Sequence, residues 1–364
     1  MPALEVGKRV RIVIAGAGLI GQTHIKRVLE EPEAELAGII DIDPKAGEQA
    51  AALGVEWATD IDTMLGKVKP DGIVIALPNQ FHFPAGKAAI RAGVATLMEK
   101  PVCDTVEEAE QLAEEADRCG VPVLVGHHRR HSPLIKRAKQ IIETGRLGTI
   151  TAVNGLCWFL KPQDYFEGKT SWRRGPEGGV VMINLIHVID DLRNLCGDIV
   201  SVRAAASNAA RGFPVEDTAG IILTFRSGAI GTVSISDAAA APWSWELTSG
   251  ENKAYPRTDQ FCYLIAGMEG SLSIPQLEVW RHGNGGNWWS PIHVEKSIFP
   301  GETPNPPQLH SDPMTNQLRH FCEVARGTAK PLLDLRGAAR TLEATLAVKK
   351  SASTGEVVFL SYGS

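Results

Sequence analysis

A chain of 364 residues exceeds what one ordinary hydrophobic core organises, so two domains are expected. Its 44% hydrophobic and 22% charged residues are typical of a globular protein, and the formal net charge of -5 disfavours nucleic acid and anionic membranes as partners. No apolar stretch approaches the roughly 20 residues of a membrane span, and Met1 to Arg11 is not followed by an apolar secretion core, so a cytoplasmic protein acting on a small molecule is expected.

From Arg9 to about Gly126, apolar runs alternate with amphipathic stretches. Val10-Ala15, Leu36-Asp41, Gly72-Ala76, Ala95-Met98 and Val121-Val125 read as buried strands of a parallel, doubly wound α/β sheet. The rhythm changes after His127. A helix at Pro133-Thr144, a strand at Thr149-Phe159 and a helix from Gly178 to Leu195 come first. Strands then follow at Val200-Ser207, Thr218-Phe225, Ala229-Ile235, Glu246-Ser249, Phe261-Ala266, Gly270-Ile274 and Leu277-Trp280, which predicts an open, mostly antiparallel sheet in an α+β domain. His282-Pro307, rich in Gly, Pro, Asn and Trp, reads as a long functional loop, followed by His310 as a cleft candidate and by helices at Pro313-Arg326 and Leu335-Ser353. The division expected is residues 1–126 and residues 127–364. The six cysteines stand singly, with no CxxC pair, so idle thiols and no metal site are expected.

Gly16-Ala17-Gly18-Leu19-Ile20-Gly21 directly follows the first strand and opens a helix. In such a turn the first glycine allows the tight bend, the second lets backbone approach a pyrophosphate, and the third packs helix on strand. The free N–H groups of the helix start, at Leu19 and Ile20, then face the phosphates. Asp41 stands twenty residues beyond Gly21, where a carboxylate accepts from ribose hydroxyls and repels the extra phosphate of NADP, so NAD is the cofactor expected.

Three further strings matter: Ala76-Leu77-Pro78-Asn79-Gln80-Phe81-His82, Glu99-Lys100-Pro101, and Gly178-Gly179 followed by Asn184, His187 and Asp190. The first two lie at C-terminal strand ends, the edge at which open α/β sheets bind ligands. As residues alone they leave alternatives: His82 as a solvent-facing helix start, Lys100 as a surface lysine, His187 as a satisfied core histidine. Together with the glycine turn they resemble the Gfo/Idh/MocA oxidoreductases, over nearly the whole chain.

That resemblance implies cofactor contacts from Leu77, Pro78, Asn79, His82, Glu99 and Lys100, with Lys100-Pro101 a cis bond. It implies Lys100 and His187 as catalytic residues, the lysine steadying the oxygen at the reacting carbon and the histidine taking the hydroxyl proton as hydride leaves for nicotinamide. It also implies a homodimer or homotetramer formed through the second sheet. One departure stands out: the aspartate common four residues before the histidine is Ile183 here, which leaves Asn184, expected on the same helical face as His187. Arg129, in the basic run His127-His131, and Trp172 and Arg173, in a loop ahead of the His187 helix, are the remaining substrate candidates; Arg173 is equally open to salt-bridging elsewhere. Trp243, Trp245, Trp288 and Trp289 read either as aromatic surface for sugars or interfaces or as packing residues.

The function expected is oxidation of a secondary alcohol of a sugar, polyol or related cyclic compound by NAD. Rival readings are a dihydrodiol-type dehydrogenase acting on a carboxylated ring, and a non-catalytic NAD-binding regulator.

Overall fold

The computed structural model describes residues 8–283, 285–295 and 311–363. The elements in chain order begin with β1 (Val10–Ala15), α1 (Leu19–Glu30), β2 (Ala34–Ile40), α2 (Pro44–Leu53), β3 (Glu56–Ala58), α3 (Ile61–Val68), β4 (Gly72–Ile75), α4 (His82–Arg91), β5 (Ala95–Met98), α5 (Val106–Cys119) and β6 (Val123–Val125). There follow α6 (Pro133–Glu143), β7 (Ile150–Trp158), α7 (Ile186–Cys196), β8 (Ile199–Ser207), β9 (Thr218–Phe225), β10 (Ile230–Ser236), α8 (Trp245–Thr248), β11 (Tyr263–Gly267), β12 (Ser271–Ile274), β13 (Glu278–His282) and β14 (Ile292–Val294). The chain closes with α9 (Pro313–Ala325), α10 (Leu335–Thr354) and β15 (Val358–Phe359).

The chain divides into two compact units, one of residues up to His131 together with Pro313–Leu342, the other of Ser132–Asp312 together with Glu343–Ser364. The first break falls five residues beyond the predicted one. The return of Pro313–Leu342 to the first unit was not predicted. Its cause is the apolar face of α9: Leu318, Phe321, Cys322 and Ala325 join Ile12, Ile14, Val74 and Leu97 in one buried cluster. Only a glycine fits under the Phe321 ring, because a Cβ on Gly72 would stand 2.9 Å from its Cζ.

The first unit carries a six-stranded parallel sheet in the order β3-β2-β1-β4-β5-β6. The order reverses between β1 and β4, which opens a crevice at the carboxyl ends of those strands. β3 is an addition to the strands read from sequence; at three residues it is too short to show a period.

The second unit carries a nine-stranded sheet in the order β14-β13-β12-β11-β7-β10-β9-β8-β15. It is antiparallel except for the parallel pair β7 and β10, whose ends, Trp158 and Ser236, are in register. One face is covered by α6, α7 and part of α10 through Leu134, Ile135, Val188, Leu192 and Val348. Glu246-Ser249, predicted as a strand, is the short helix α8. Ser244 caps it by accepting from Leu247 N at 3.4 Å, and its backbone carbonyl takes the Thr248 hydroxyl at 2.8 Å. Trp245 is buried, stacks on Tyr263 and donates from Nε1 to Glu251, so it belongs to packing; Trp288 and Trp289 are exposed and meet edge to face. The stretch read as a long loop contains β14, paired with β13, and its later part with His310 lies outside the described residues. No described helix is long and apolar enough to cross a membrane.

Candidate active site

The cofactor turn is built as the glycine spacing requires. Gly16 has φ +94°, and a Cβ there would lie 2.5 Å from the Ala76 carbonyl oxygen, so the position needs glycine for both conformation and space. Gly21 abuts the Gly16 carbonyl, with a would-be Cβ at 1.9 Å. Gly18 differs: it is exposed, and nothing lies within 4 Å of where its Cβ would stand. That open space lies at the start of α1, whose N-cap is Gly18 itself, with no side-chain cap among the described residues and no acidic residue in the first turn. Leu19 and Ile20 are exposed on this first turn. Free N–H groups, a positive helix end and a surface without Cβ are what a pyrophosphate requires.

Asp41 follows the end of β2, and its carboxylate is fixed at both oxygens. Oδ2 accepts from Ala17 N at 2.6 Å, and Oδ1 accepts from Asp43 N at 2.8 Å. Each oxygen keeps a further lone pair for a ribose hydroxyl. The neighbouring Asp43 is spent on capping α2, where it accepts from Lys45 N. These residues fit an adenosine ribose bearing a free 2'-hydroxyl.

The turn after β4 places Leu77 half-buried, Pro78 exposed and Asn79 at the start of a short 3-10 turn. His82 is buried, against the solvent-facing alternative. Its Nδ1 lies 2.8 Å from the Pro101 carbonyl and its Nε2 2.9 Å from the Leu77 carbonyl. Burial pulls the imidazole pKa down, opposed by the two carbonyls. Glu99 is likewise spoken for: Oε1 pairs with His24 Nε2 of α1 at 2.8 Å, and Oε2 accepts from Lys100 N at 3.2 Å. His24 and Lys100 hold the Glu99 carboxyl below its usual range in spite of burial. These bonds tie the β4 turn and α1 to the Lys100 turn. The Lys100-Pro101 bond is cis, as the resemblance implied. Arg129 is buried in the 3-10 turn after β6, at 3% exposure.

In the second unit the predicted helix from Gly178 is helical from Gly179 and carries a π turn, Val181–Leu185, before α7 begins at Ile186. The wider turn removes the basis for placing Asn184 and His187 on one α-helical face. The double glycine has steric causes: a Cβ on Gly178 would lie 2.1 Å from the Arg173 carbonyl oxygen, and one on Gly179, with φ +82°, 2.4 Å from Glu216 Oε1. Glu216 uses that oxygen to accept from Val181 N at 3.0 Å, capping the helix. His187 and Asn184 are buried, at 8% and 9% exposure.

A charged group that sequence reasoning missed stands beside Asn184. Lys161 Nζ donates to Asn184 Oδ1 at 2.6 Å and pairs with Asp237 Oδ2 at 3.2 Å. Arg211 Nε donates to Asp237 Oδ1 at 2.9 Å. Lys161 and Asp237 arrive together because each follows the end of one strand of the parallel pair β7 and β10, and Lys161 N bonds the Asp237 carbonyl at 2.9 Å. Burial pulls the Lys161 pKa down, opposed by Asp237. The available signal was a lone charge just past an apolar strand. Tyr165 lies between two cations, with Lys161 Nζ 4.6 Å and Arg173 Cζ 3.7 Å from its ring centroid. Arg173 also donates from Nη1 to the Tyr165 carbonyl at 3.0 Å, so it braces its own loop, and it makes no salt bridge among the described residues; Trp172 is half exposed.

The sheet order, the glycine turn and the fixed ribose acid define a nicotinamide-dependent oxidoreductase with an NAD-binding Rossmann unit. Residues 10–127 match the model of the oxidoreductase family with NAD-binding Rossmann fold, and residues 135–273 match the Gfo/Idh/MocA C-terminal domain. The chain belongs to the Gfo/Idh/MocA family of oxidoreductases. D-apiose dehydrogenase of Paraburkholderia graminis is 27% identical over 359 residues, 97% of this chain and 90% of that protein. An inositol 2-dehydrogenase of Corynebacterium glutamicum is 30% identical over 155 residues, 42% of this chain and 46% of its own. Among solved structures, the WlbA dehydrogenase of Bordetella pertussis in complex with NADH and UDP-GlcNAcA aligns with a TM-score of 0.77 at 25% identity, covering 97% of this chain and 99% of that one.

Proposed function

We propose that this oxidoreductase oxidises a secondary alcohol of a sugar, polyol or related cyclic compound, with NAD bound at the Gly16-Gly21 turn and Asp41. Bound NAD supplies the acceptor for the hydride. His187 takes the hydroxyl proton, a task an imidazole ring nitrogen performs as a general base. Lys100 holds the oxygen on the reacting carbon and stabilises its developing negative charge. Asn184 donates a hydrogen bond to a further substrate oxygen, and Trp172 offers an apolar face of the kind that packs on sugar rings.

The observation that carries this reading is the Asp41 carboxylate, fixed by Ala17 N and Asp43 N beside the open space at Gly18. Relatives that act on a pentose and on a cyclic polyol support the substrate class. The exposed apolar residues Ile222, Ile230 and Leu264 on the second sheet support assembly into a homodimer or homotetramer.

The test is NADH absorbance with a panel of sugars, inositols and dihydrodiols. Lys100→Met should abolish turnover while NAD binding persists. Undiminished turnover in that variant would overturn the assignment.

A further inference from the structure

We propose that Lys161 is a positioning residue for substrate recognition, which orients the Asn184 side-chain amide so that its NH2 group is the donor offered to a substrate oxygen. The proposal rests on the reading of Asn184 as a substrate residue.

The two ends of an asparagine amide have nearly the same shape, and their assignment has to come from their partners. Here the partner decides it. An ammonium carries only donors, so a contact of 2.6 Å from Lys161 Nζ is a hydrogen bond to an acceptor, and the amide atom facing it is Oδ1. The NH2 end is thereby turned away from Lys161, and it bonds no protein atom among the described residues. Asn184 is 9% exposed, and what remains open to a partner is its NH2 end, since Oδ1 is taken by Lys161.

The ammonium is itself held. Asp237 Oδ2 lies 3.2 Å from Nζ, while Asp237 Oδ1 accepts from Arg211 Nε at 2.9 Å. Arg211 reaches the Lys161 carbonyl as well, at 2.9 Å, and the Tyr165 ring lies beside the ammonium. Orientation thus passes from Arg211 to Asp237, to Lys161 and to Asn184. Burying an ammonium carries a large desolvation penalty, and an apolar residue of similar size would serve plain packing at least as well. Lys161 is 7% exposed, and fixing the amide explains why an ammonium is buried there. An aspartate at 184 would keep the bond to Lys161 but offer no donor. The substrate group met by Asn184 is therefore an acceptor: a hydroxyl lone pair, a carbonyl or a carboxylate.

Two measurements test this. In protein labelled with nitrogen-15 at asparagine, the Asn184 NH2 resonances are assigned by their absence from Asn184→Ser. They should shift in Lys161→Met and stay near the wild-type position in Lys161→Arg. Wild-type resonances in a folded Lys161→Met protein overturn the proposal. Asn184→Asp keeps the contact with Lys161 and should melt as the wild type does. Its kcat/KM should nevertheless fall at least tenfold for the most active of myo-inositol, D-apiose and D-glucose, with the KM for NAD unchanged. An undiminished kcat/KM in Asn184→Asp overturns the proposal even where Lys161→Met fails to fold. If the wild type turns over none of the three probes, the dehydrogenase reading fails for them, and the amide resonances still decide the role of Lys161.

Discussion

Gly18→Ala separates what the fold needs from what the cofactor needs. The residue has φ −69° and ψ −167°, an extended conformation that alanine adopts without strain, and its Cβ would meet nothing within 4 Å. As an exposed substitution without a clash it should change stability by no more than about 0.5 kcal/mol. The same methyl group would fill the space through which a pyrophosphate reaches the first-turn N–H groups. Losing one charge-assisted hydrogen bond there corresponds to about 1.5–3 kcal/mol, or roughly a 10- to 100-fold weaker Kd for NAD. Calorimetric NAD titration and thermal melting of the same sample read the two effects separately. Gly21→Ala is the contrast: its Cβ would lie 1.9 Å from the Gly16 carbonyl oxygen, so stability and NAD affinity should fall together. A Gly18→Ala protein that melts and binds NAD like the wild type would refute the placing of the pyrophosphate.

Asp41→Asn keeps the size but removes the charge, and should weaken NAD binding about tenfold while narrowing the preference over NADP, measured by parallel titrations. Phe321→Ala removes a fully buried ring of the first unit's core and should lower stability by about 3–5 kcal/mol in urea unfolding; a loss under about 1 kcal/mol would contradict the joining of α9 to that core. Burial, aided by Arg129, pushes the His128 imidazole down to about 4. The unfolded chain therefore takes up that proton first as pH falls below about 6.5. The stability linked to this group is complete above that pH and drains as pH falls toward 4, by about 2 kcal/mol between pH 7 and pH 5. Urea midpoints across that range should show a shallower acid decline in His128→Gln; an equal decline would count against a neutral ring in the folded protein.

The glycine turn, Asp41 and the parallel sheet were legible because each is a local pattern. A strand, three spaced glycines and an acid at the end of the next strand lie within 32 residues, from Val10 to Asp41. The strand predicted at Glu246-Ser249 failed for an equally local reason: Ser244 caps a short helix there. The π turn before His187 was out of reach, since its residues carry the same apolar pattern as an α-helix.

By itself the sequence determined the cofactor module, the family and the residue types available for chemistry, since periodicity and motif spacing act over a few turns of chain. Only the tertiary structure decided which of those residues are spoken for. Glu99 meets His24 across 75 positions of sequence, His82 is clamped between two carbonyls, and Lys161 meets Asp237 through the parallel pairing of β7 with β10. Such pairings depend on strand order and register, which no window of neighbouring residues encodes.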